Sequence, residues 1–311
     1  MKTRVHPSLD ATTWQKIVAL PWWHPLKILS RVLICLSLVF VGICVLLYLM
    51  QGKLIYPAAG QAITPEQVEM TAHAAGLVPW KLPGSDAYVG FVQGDFNDHG
   101  WELVGKHMQN SAPRGTVVVL HGNGEYAWYH ADTARALRQR GFRTLLYEYP
   151  GYGGRAGRPS ERTIVPEVQA VVRALDKAGL GPVYLWGQSI GSGAAAAACA
   201  DESLPVKGLL LITPFDSLPN VGASFYPFLP VRWLMIDRYD SMANLAHFAH
   251  PIFLARSDHD EVIPPRLSMN LYAHLPEPKK EIVFENAGHN DWPGDTPESW
   301  LDEALDFIAP R

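Results

Sequence analysis

Residues 32–50 are the stretch that most constrains this chain, because they read VLICLSLVFVGICVLLYLM and contain neither a charge nor a proline. An α-helix of these 19 residues, at about 1.5 Å per residue, spans roughly 28 Å, close to a hydrocarbon core of about 30 Å. A core helix of a soluble protein is usually shorter and keeps a polar stripe. The run therefore predicts one transmembrane helix at 32–50, preceded by an N-terminal segment, 1–31.

A cleaved signal peptide is the alternative that the sequence leaves open, because the small residues at 58–60 resemble a cleavage site. Against it, the apolar run exceeds the usual signal-peptide core of about 7–15 residues. Lys16, Lys27 and Arg31 precede the run, whereas Lys53 alone follows it closely. This bias predicts a cytoplasmic N-terminus. The catalytic domain is then expected to be periplasmic in a bacterium, or luminal or extracellular in a eukaryote.

Charge separates the two ends of the chain. The chain contains 26 Lys and Arg and 30 Asp and Glu. Residues 1–53 hold six of the basic residues and one of the acidic residues, so residues 54–311 hold 20 basic and 29 acidic residues. An acidic globular part argues against nucleic acid as a partner, because phosphate binding requires a basic face. The expected partners are the membrane lipid bilayer and a small-molecule or lipid substrate. Cys199 is the single cysteine outside the apolar run, so the globular part is expected to contain no internal disulfide.

Short apolar runs alternate with amphipathic stretches from residue 116 onward. The runs are 116–120, 144–147, 183–186, 208–212, 252–255 and 281–284, and helices are expected between them at 128–140, 164–178, 190–200 and 265–275. Strands that are apolar on both faces and alternate with helices predict a mostly parallel sheet with helices on both faces. Residues 51–84 are interpreted as a lead-in and 85–311 as one α/β domain.

Two further segments depart from this alternation. Residues 89–96 and 101–108 are interpreted as an antiparallel pair joined by the turn-rich sequence NDHG at 97–100. Residues 213–248 are rich in proline and aromatic side chains and are interpreted as a small cap insertion.

The motif GQSIG at 187–191 is a G-x-S-x-G that follows an apolar run and precedes a helix. A sharp turn between strand and helix lifts a serine hydroxyl above the sheet edge, and the flanking glycines avoid backbone clashes. The helix N-terminus below favours developing negative charge. These features make Ser189 the candidate nucleophile.

A serine nucleophile requires a base, and the base requires an acid that orients it, in the chain order Ser, Asp or Glu, His. Asp258 and Asp260 follow the run at 252–255 and are the candidate acids. His289 follows the last apolar run and is the candidate base. The other histidines after Ser189 are interpreted as surface or cap residues.

The sequence HGNG at 121–124 also follows a strand, and its glycines allow backbone N–H groups to approach an oxyanion closely. The main-chain N–H groups of Asn123 and Gln188 are the expected oxyanion donors, with Gly124 as the alternative. No zinc-spaced Cys and His cluster, HExxH, P-loop or GxGxxG after a strand is present in the sequence, so neither a metal nor a cofactor is expected.

These motifs together resemble the α/β-hydrolase superfamily, and within it the membrane-anchored, Bem-like serine hydrolases related to depalmitoylases, lysophospholipid hydrolases and serine aminopeptidases. The matching stretches are HGNG at 121–124, YEYPGYG at 147–153, GQSIGSG at 187–193, TPFDSL at 213–218, RYDSMANL at 238–245, DEVIP at 260–264 and AGHND at 287–291. The resemblance implies an α/β-hydrolase fold with Ser189 as nucleophile, Asp260 as acid and His289 as base. One departure is Glu148, where many members carry Asp.

The sequence therefore predicts a membrane-anchored serine hydrolase that cleaves an ester or thioester through an acyl-enzyme. The aromatic stretch 213–234 beside the apolar run suggests acyl chains of lipids or lipidated proteins, although these side chains could equally pack the cap. A serine peptidase of the same fold and a non-enzymatic membrane receptor or scaffold are the alternatives.

Overall fold

A computed structural model describes residues 23–93, 113–291 and 299–311. The chain divides into two units, of which the first ends at Leu49 and the second spans Met50–Arg311. Helix α1, Trp23–Ile55, contains the predicted span 32–50 and extends beyond it on both sides. Within the described ranges, Leu26–Ile55 is the one stretch long and apolar enough to cross a membrane. Only 6% of its most apolar window is buried, which excludes the buried core helix as an interpretation.

The second unit is built on one eight-stranded sheet, and its strands hold the core. In chain order the strands are β1 (Leu77–Lys81), β2 (Tyr88–Gln93), β3 (Gly115–Leu120), β4 (Phe142–Tyr147), β5 (Val183–Gln188), β6 (Val206–Ile212), β7 (Ile252–Ser257) and β8 (Lys279–Phe284). Their order across the sheet is β1-β2-β4-β3-β5-β6-β7-β8, with β1 and β2 antiparallel to their neighbours and all other pairs parallel. The predicted parallel sheet is confirmed.

Among the described helices after α1, one precedes the sheet, one follows its last strand, and the others lie between the parallel strands. They are α2 (Pro65–Ala74), α3 (Ala131–Gln139), α4 (Glu161–Lys177), α5 (Ile190–Ala198), α6 (Leu218–Phe225), α7 (Val231–Leu234), α8 (Ser241–Leu245), α9 (Pro265–His274) and α10 (Ser299–Ile308). A 3₁₀ turn, Ala127–His130, precedes α3. Helix α5 is buried on all sides because glycine and alanine fill it, so that it can lie directly against the sheet. The insertion between β6 and β7 contributes α6, α7 and α8.

The first strands differ from the prediction. The lead-in carries α2 and the edge strand β1, so the sheet begins at Leu77 and not after residue 84. Strand β2 ends at Gln93, and its antiparallel partners are β1 and β4. The second predicted strand of the pair, 101–108, lies outside the described residues. Strand β1 was missed because it contains Pro79 and buries only Leu77 fully, while the residues after it alternate between half-buried and exposed, a pattern that an edge strand tolerates.

Candidate active site

Ser189 lies between strand β5 and helix α5, at the carboxyl edge of the sheet. Its backbone has φ 52° and ψ −118°, a conformation that a residue with a side chain rarely adopts. The Ser189 N–H donates to the Ile212 carbonyl at 2.9 Å, and the Ser192 hydroxyl donates to the Ser189 carbonyl at 2.6 Å. These bonds hold a strained turn in place, which is the geometry expected of a nucleophile elbow.

The glycines on either side of Ser189 are required by packing. A Cβ on Gly187 would lie 2.6 Å from the Ser192 Cα, within the first turn of α5. A Cβ on Gly191 would lie 2.7 Å from the carbonyl carbon of Leu120, at the end of β3. Real Cβ atoms do not approach other atoms this closely, so α5 can begin directly above the sheet only with glycine at both positions.

Asp260 and His289 form a buried pair at the same edge. The His289 Nδ1 lies 2.8 Å from the Asp260 Oδ2. The other carboxylate oxygen of Asp260 accepts the N–H groups of Val262 at 2.9 Å and Ile263 at 2.6 Å. Both side chains are buried. Because Nδ1 faces the carboxylate, Nε2 is the ring nitrogen that is available to a serine hydroxyl.

The structure distinguishes the two candidate acids. Asp258 bonds to the neighbouring His259 at 2.7 Å, and the His259 side chain is exposed. Asp260, in contrast, is the carboxylate that meets His289. Strands β5, β6, β7 and β8 are parallel neighbours, so the loops that carry Ser189, Asp260 and His289 all leave one edge. One strand separates β5 from β7, which is about 10 Å at the usual strand spacing.

Glu261 fixes the His289 loop and was not singled out by sequence. Its Oε2 accepts the backbone N–H of His289 at 3.0 Å. The N–H of His259 donates to the Ala287 carbonyl at 3.2 Å, and the N–H of Asp258 donates to the Phe284 carbonyl at 3.2 Å. These three bonds join the segments after β7 and β8, in addition to the contact between Asp260 and His289. The role of Glu261 becomes visible only in the structure, where β7 and β8 are neighbours and bring the two loops together.

The HGNG loop is supported by a buried contact between His121 and Glu148. The His121 Nε2 lies 2.9 Å from the Glu148 Oε1, and both side chains are fully buried. Glu148 also accepts the N–H groups of Ala127 and Tyr149. Burial alone would lower the pKa of His121, but the charge and hydrogen bond of Glu148 outweigh burial and raise it. Glu148 therefore supports the predicted oxyanion loop through His121 and the N–H of Ala127.

Glu125 places a fixed negative charge beside the same loop. Its Oε2 accepts the Gly122 N–H at 2.8 Å and faces the His130 Nε2 at 3.1 Å, while its Oε1 lies 3.4 Å from the Gln188 side-chain nitrogen. Burial opposes ionisation, but the His130 and Gly122 contacts outweigh it and lower the pKa of Glu125 to about 2. Glu125 thus links the HGNG loop to the end of β5.

The predicted oxyanion donors lie on the two segments that flank the serine. Asn123 is exposed in the HGNG loop, and its carbonyl accepts the Tyr152 hydroxyl at 2.7 Å. Gln188 is the last residue of β5, before the serine. Ile190 is the first residue of α5, and the first N–H groups of a helix have no partner within it. Ile190 was not among the predicted donors, although its place one residue after the candidate nucleophile is the relevant signal.

Backbone strain concentrates at this edge of the sheet. Among the described residues, the non-glycine positions with positive φ are Ser189, Thr213, Tyr239 and Asn286. Ser189 directly follows β5, Thr213 directly follows β6, and Asn286 lies two residues after the end of β8. Such strain collects where a site imposes a conformation on the chain. In the part of the chain that the structure describes, no group of three or more His, Cys, Asp or Glu side chains is placed to hold a metal ion.

Comparison with known sequences gives relatives over most of the chain. The uncharacterized protein Rv2307c of Mycobacterium tuberculosis is 32% identical over 260 residues, which are 82% of this chain and 86% of that protein. The lysophosphatidylserine lipase ABHD12 of Danio rerio is 28% identical over 190 residues, which are 55% of this chain and 49% of that lipase. This chain therefore matches about half the length of the lipase.

A family model and solved structures agree with these relatives. The family described as serine aminopeptidase, S33, matches residues 111–242. The crystal structure of an α/β hydrolase from Vibrio vulnificus covers 83% of this chain and 91% of its own, with a TM-score of 0.58 at 18% identity. Est1E from Butyrivibrio proteoclasticus, solved with ferulic acid, covers 63% of this chain and 91% of its own, with a TM-score of 0.53 at 18% identity. From its fold and its relatives, this chain belongs to the α/β-hydrolase superfamily and is a hydrolase.

Proposed function

We propose that the protein is a membrane-anchored serine hydrolase that cleaves ester or thioester bonds through an acyl-enzyme. The single observation that carries this proposal is the buried contact between His289 Nδ1 and Asp260, 2.8 Å long, at the sheet edge where the strained Ser189 turn also lies. A carboxylate on Nδ1 directs Nε2 toward the nucleophile and stabilises the imidazolium that forms. Helix α1 supplies the anchor in this proposal.

The reaction proceeds in two halves. The Ser189 hydroxyl gives its proton to His289 Nε2 as Oγ attacks the substrate carbonyl carbon, and the negative charge on the carbonyl oxygen is met by backbone N–H groups. The bond to the leaving alcohol or thiol breaks, and His289 returns the proton to it. Water then gives a proton to His289 and its oxygen attacks the acyl-enzyme, which releases the acid and restores Ser189.

The oxyanion donors belong to this proposal. Asn123 is the donor from the HGNG loop, with Gly124 as its alternative. On the other side of the serine, Ile190 suits the role better than Gln188, because it opens α5 and its N–H has no helical acceptor. Glu148 and Glu125 act as positioning residues, since each accepts backbone N–H groups from the segment between Gly122 and Ala127.

A serine-directed fluorophosphonate probe tests the nucleophile. We expect the probe to label the membrane-embedded full chain at Ser189, because an activated serine attacks phosphorus as it attacks a carbonyl. Ser189→Ala should abolish labelling. Ser257→Ala is the matched control, since Ser257 is also buried at the carboxyl edge, at the end of β7. Peptide mapping by mass spectrometry gives the site. An adduct on another serine, or undiminished labelling of the Ser189→Ala protein, contradicts the proposal, and a receptor or scaffold without activity predicts no adduct.

The substrate we favour is an ester with a long acyl chain. Support comes from the similarity to a lysophosphatidylserine lipase, from the apolar helix α1 and from aromatic side chains exposed in the insertion. Each methylene fully transferred from water to an apolar site contributes about 0.8 kcal/mol. A tenfold change requires only about 1.4 kcal/mol, so partial burial of the eight added methylenes suffices for kcat/KM to rise at least about tenfold between four and twelve acyl carbons. Assays with an ester series below its micelle concentration measure this. A flat series contradicts a lipid substrate.

A serine peptidase is the second candidate, because the family model that matches is described as an aminopeptidase. Such an enzyme requires a carboxylate for the substrate α-amine. Glu125 lies beside the HGNG loop and is ionised, but both of its oxygens already face hydrogen-bond donors. An aminoacyl amide added to the ester series distinguishes the two, since a peptidase cleaves the amide with a measurable turnover that Ser189→Ala abolishes, whereas an esterase leaves the amide intact.

A further inference from the structure

Several large aromatic side chains at the tip of the insertion are exposed to solvent and are not covered by the other residues that the structure describes. We name residues 225–236 the aromatic tip. Its exposed apolar side chains, with exposed fractions, are Phe225 at 52%, Tyr226 at 47%, Phe228 at 92%, Trp233 at 90% and Ile236 at 62%. Phe215, at the base of the insertion, is by contrast buried and reaches the space beside Gly193 in α5. Packing of the cap therefore accounts for Phe215 but not for the tip, and clustered exposed aromatics mark an interaction surface.

The charge of the tip is opposite to that of the rest of the soluble part. Between Asp216 and Asp237 the sequence holds a single charged residue, Arg232, which is exposed. The buried Asp237 separates the tip from the exposed Arg238, and the exposed Arg266 of α9 donates to the Ser224 hydroxyl at 2.6 Å, so the exposed charges that border the tip here are basic. Residues 54–311 otherwise carry an acidic excess. Aromatic side chains with bordering arginines are the composition of a surface that enters an anionic lipid interface.

The tip is bonded to the residue that directly follows the predicted membrane span. The side chain of Gln51 donates to the Leu234 carbonyl at 3.3 Å, and its oxygen accepts the Ile236 N–H at 2.8 Å. The hydroxyl of Tyr56 then bonds to Asp237 at 2.7 Å and lies 3.0 Å from the Tyr239 hydroxyl. If 32–50 crosses the bilayer, Gln51 lies at its boundary, and residues 234–236 lie within one side-chain length of it.

The base of the insertion is fixed from a second direction. Glu161, the first residue of α4, accepts the N–H groups of Arg238 at 2.7 Å and Tyr239 at 3.1 Å. Tyr239 itself is buried and lies over Gly193 of the nucleophile helix. The tip therefore stands on a rigid base that also touches α5, at the sheet edge where the proposed catalytic residues lie.

From these contacts we infer that the aromatic tip is a second membrane-binding surface, which inserts Phe228 and Trp233 into the headgroup region of the leaflet at which α1 emerges. This inference rests on the proposed membrane anchoring. Aromatic side chains at such a surface enter about 5–10 Å, to the boundary between headgroups and acyl chains. Insertion at this place would hold the proposed site next to the lipids from which a long-chain ester must be taken.

Depth-dependent quenching tests the inference in the full chain. Phe228→Cys is introduced into a protein with Cys35→Ala and Cys44→Ala, and is labelled with the fluorophore NBD. Cys199 stays, because it is buried and burial raises the pKa of its thiol, which keeps it unreactive. In vesicles of phosphatidylcholine and phosphatidylglycerol, we expect a nitroxide on lipid carbon 5 to quench the label at least about twofold, with a blue-shifted emission. Trp233→Cys, labelled alike, should behave in the same way.

Lys177→Cys is the matched control, since Lys177 is exposed at the end of α4, where the chain returns to the amino edge of the sheet. Its label should be quenched by aqueous iodide and not by the lipid nitroxide. Equal iodide quenching at 177, 228 and 233 would overturn the inference. So would a blue shift without lipid quenching, which would indicate a second copy of the chain. Flotation of the Lys177→Cys protein with vesicles tests the anchor separately, and fluorophosphonate labelling of the same samples tests the enzyme.

Discussion

Replacing Asp260 by asparagine should lower kcat about 10⁴-fold with little change in KM, which is the loss seen when the acid of such a triad becomes an amide. The carboxylate now accepts three hydrogen bonds, from Val262, Ile263 and the His289 ring. An asparagine keeps the shape but offers one acceptor oxygen. If that oxygen stays with the two N–H groups, the amide NH₂ faces Nδ1 and imposes the tautomer that carries its proton on Nε2. His289 then cannot accept the serine proton.

Asp258→Asn is the control, because it removes one negative charge two residues away and keeps the shape of a side chain that contacts the exposed His259 and the backbone N–H of Asn286, not the His289 ring. We expect its kcat to stay within about threefold of the unmodified protein, as for a change outside the site. Steady-state kinetics on a short ester measures both proteins. Equal losses of kcat in the two variants would show that the negative charge of the loop matters rather than the contact between Asp260 and His289. A larger loss of kcat in Asp258→Asn would identify Asp258, not Asp260, as the acid.

Most of the parallel sheet could be predicted because its signals are local. Each of the six apolar runs from residue 116 onward falls within one observed strand. Five of these strands are mostly buried and therefore largely apolar, whereas in the edge strand β8 only Phe284 is buried. The position of Ser189 is equally local, because Gly187 and Gly191 are needed by the turn itself. Asp260 and His289 could be placed because parallel strands bring the loops that follow them to one edge.

The supporting contacts could not be predicted, because they join residues far apart in the sequence. The bond between His121 and Glu148 spans the ends of β3 and β4, and the bond between Glu261 and His289 joins two loops. Gln51 reaches the aromatic tip across more than 180 residues of chain. Strand β1 was missed for a related reason, since its half-exposed pattern acquires meaning only through its pairing with β2.

Gly191→Ala should strongly destabilise the turn that carries Ser189. The added Cβ would lie 2.7 Å from the Leu120 carbonyl carbon and 2.8 Å from the His121 carbonyl oxygen. Neither atom can yield easily, because β3 pairs with β4 and β5 on its two sides and His121 is held by Glu148. We expect the free energy of unfolding to fall by about 3 kcal/mol, the upper range for overpacking a core. For a domain of this size that lowers Tm by about 6–12 °C.

Gly124→Ala separates this clash from the general cost of replacing a glycine in this region. Gly124 lies in the HGNG loop, and a Cβ there would meet no atom within 4 Å. Its Tm should therefore change by less than about 2 °C, as expected for an open position. Thermal unfolding of both full-length proteins in the same detergent compares them. Because the clash pushes α5 away from β3, Gly191→Ala should also lose fluorophosphonate labelling well below its Tm, whereas loss of stability with labelling intact would mean that the turn relaxes without moving Ser189.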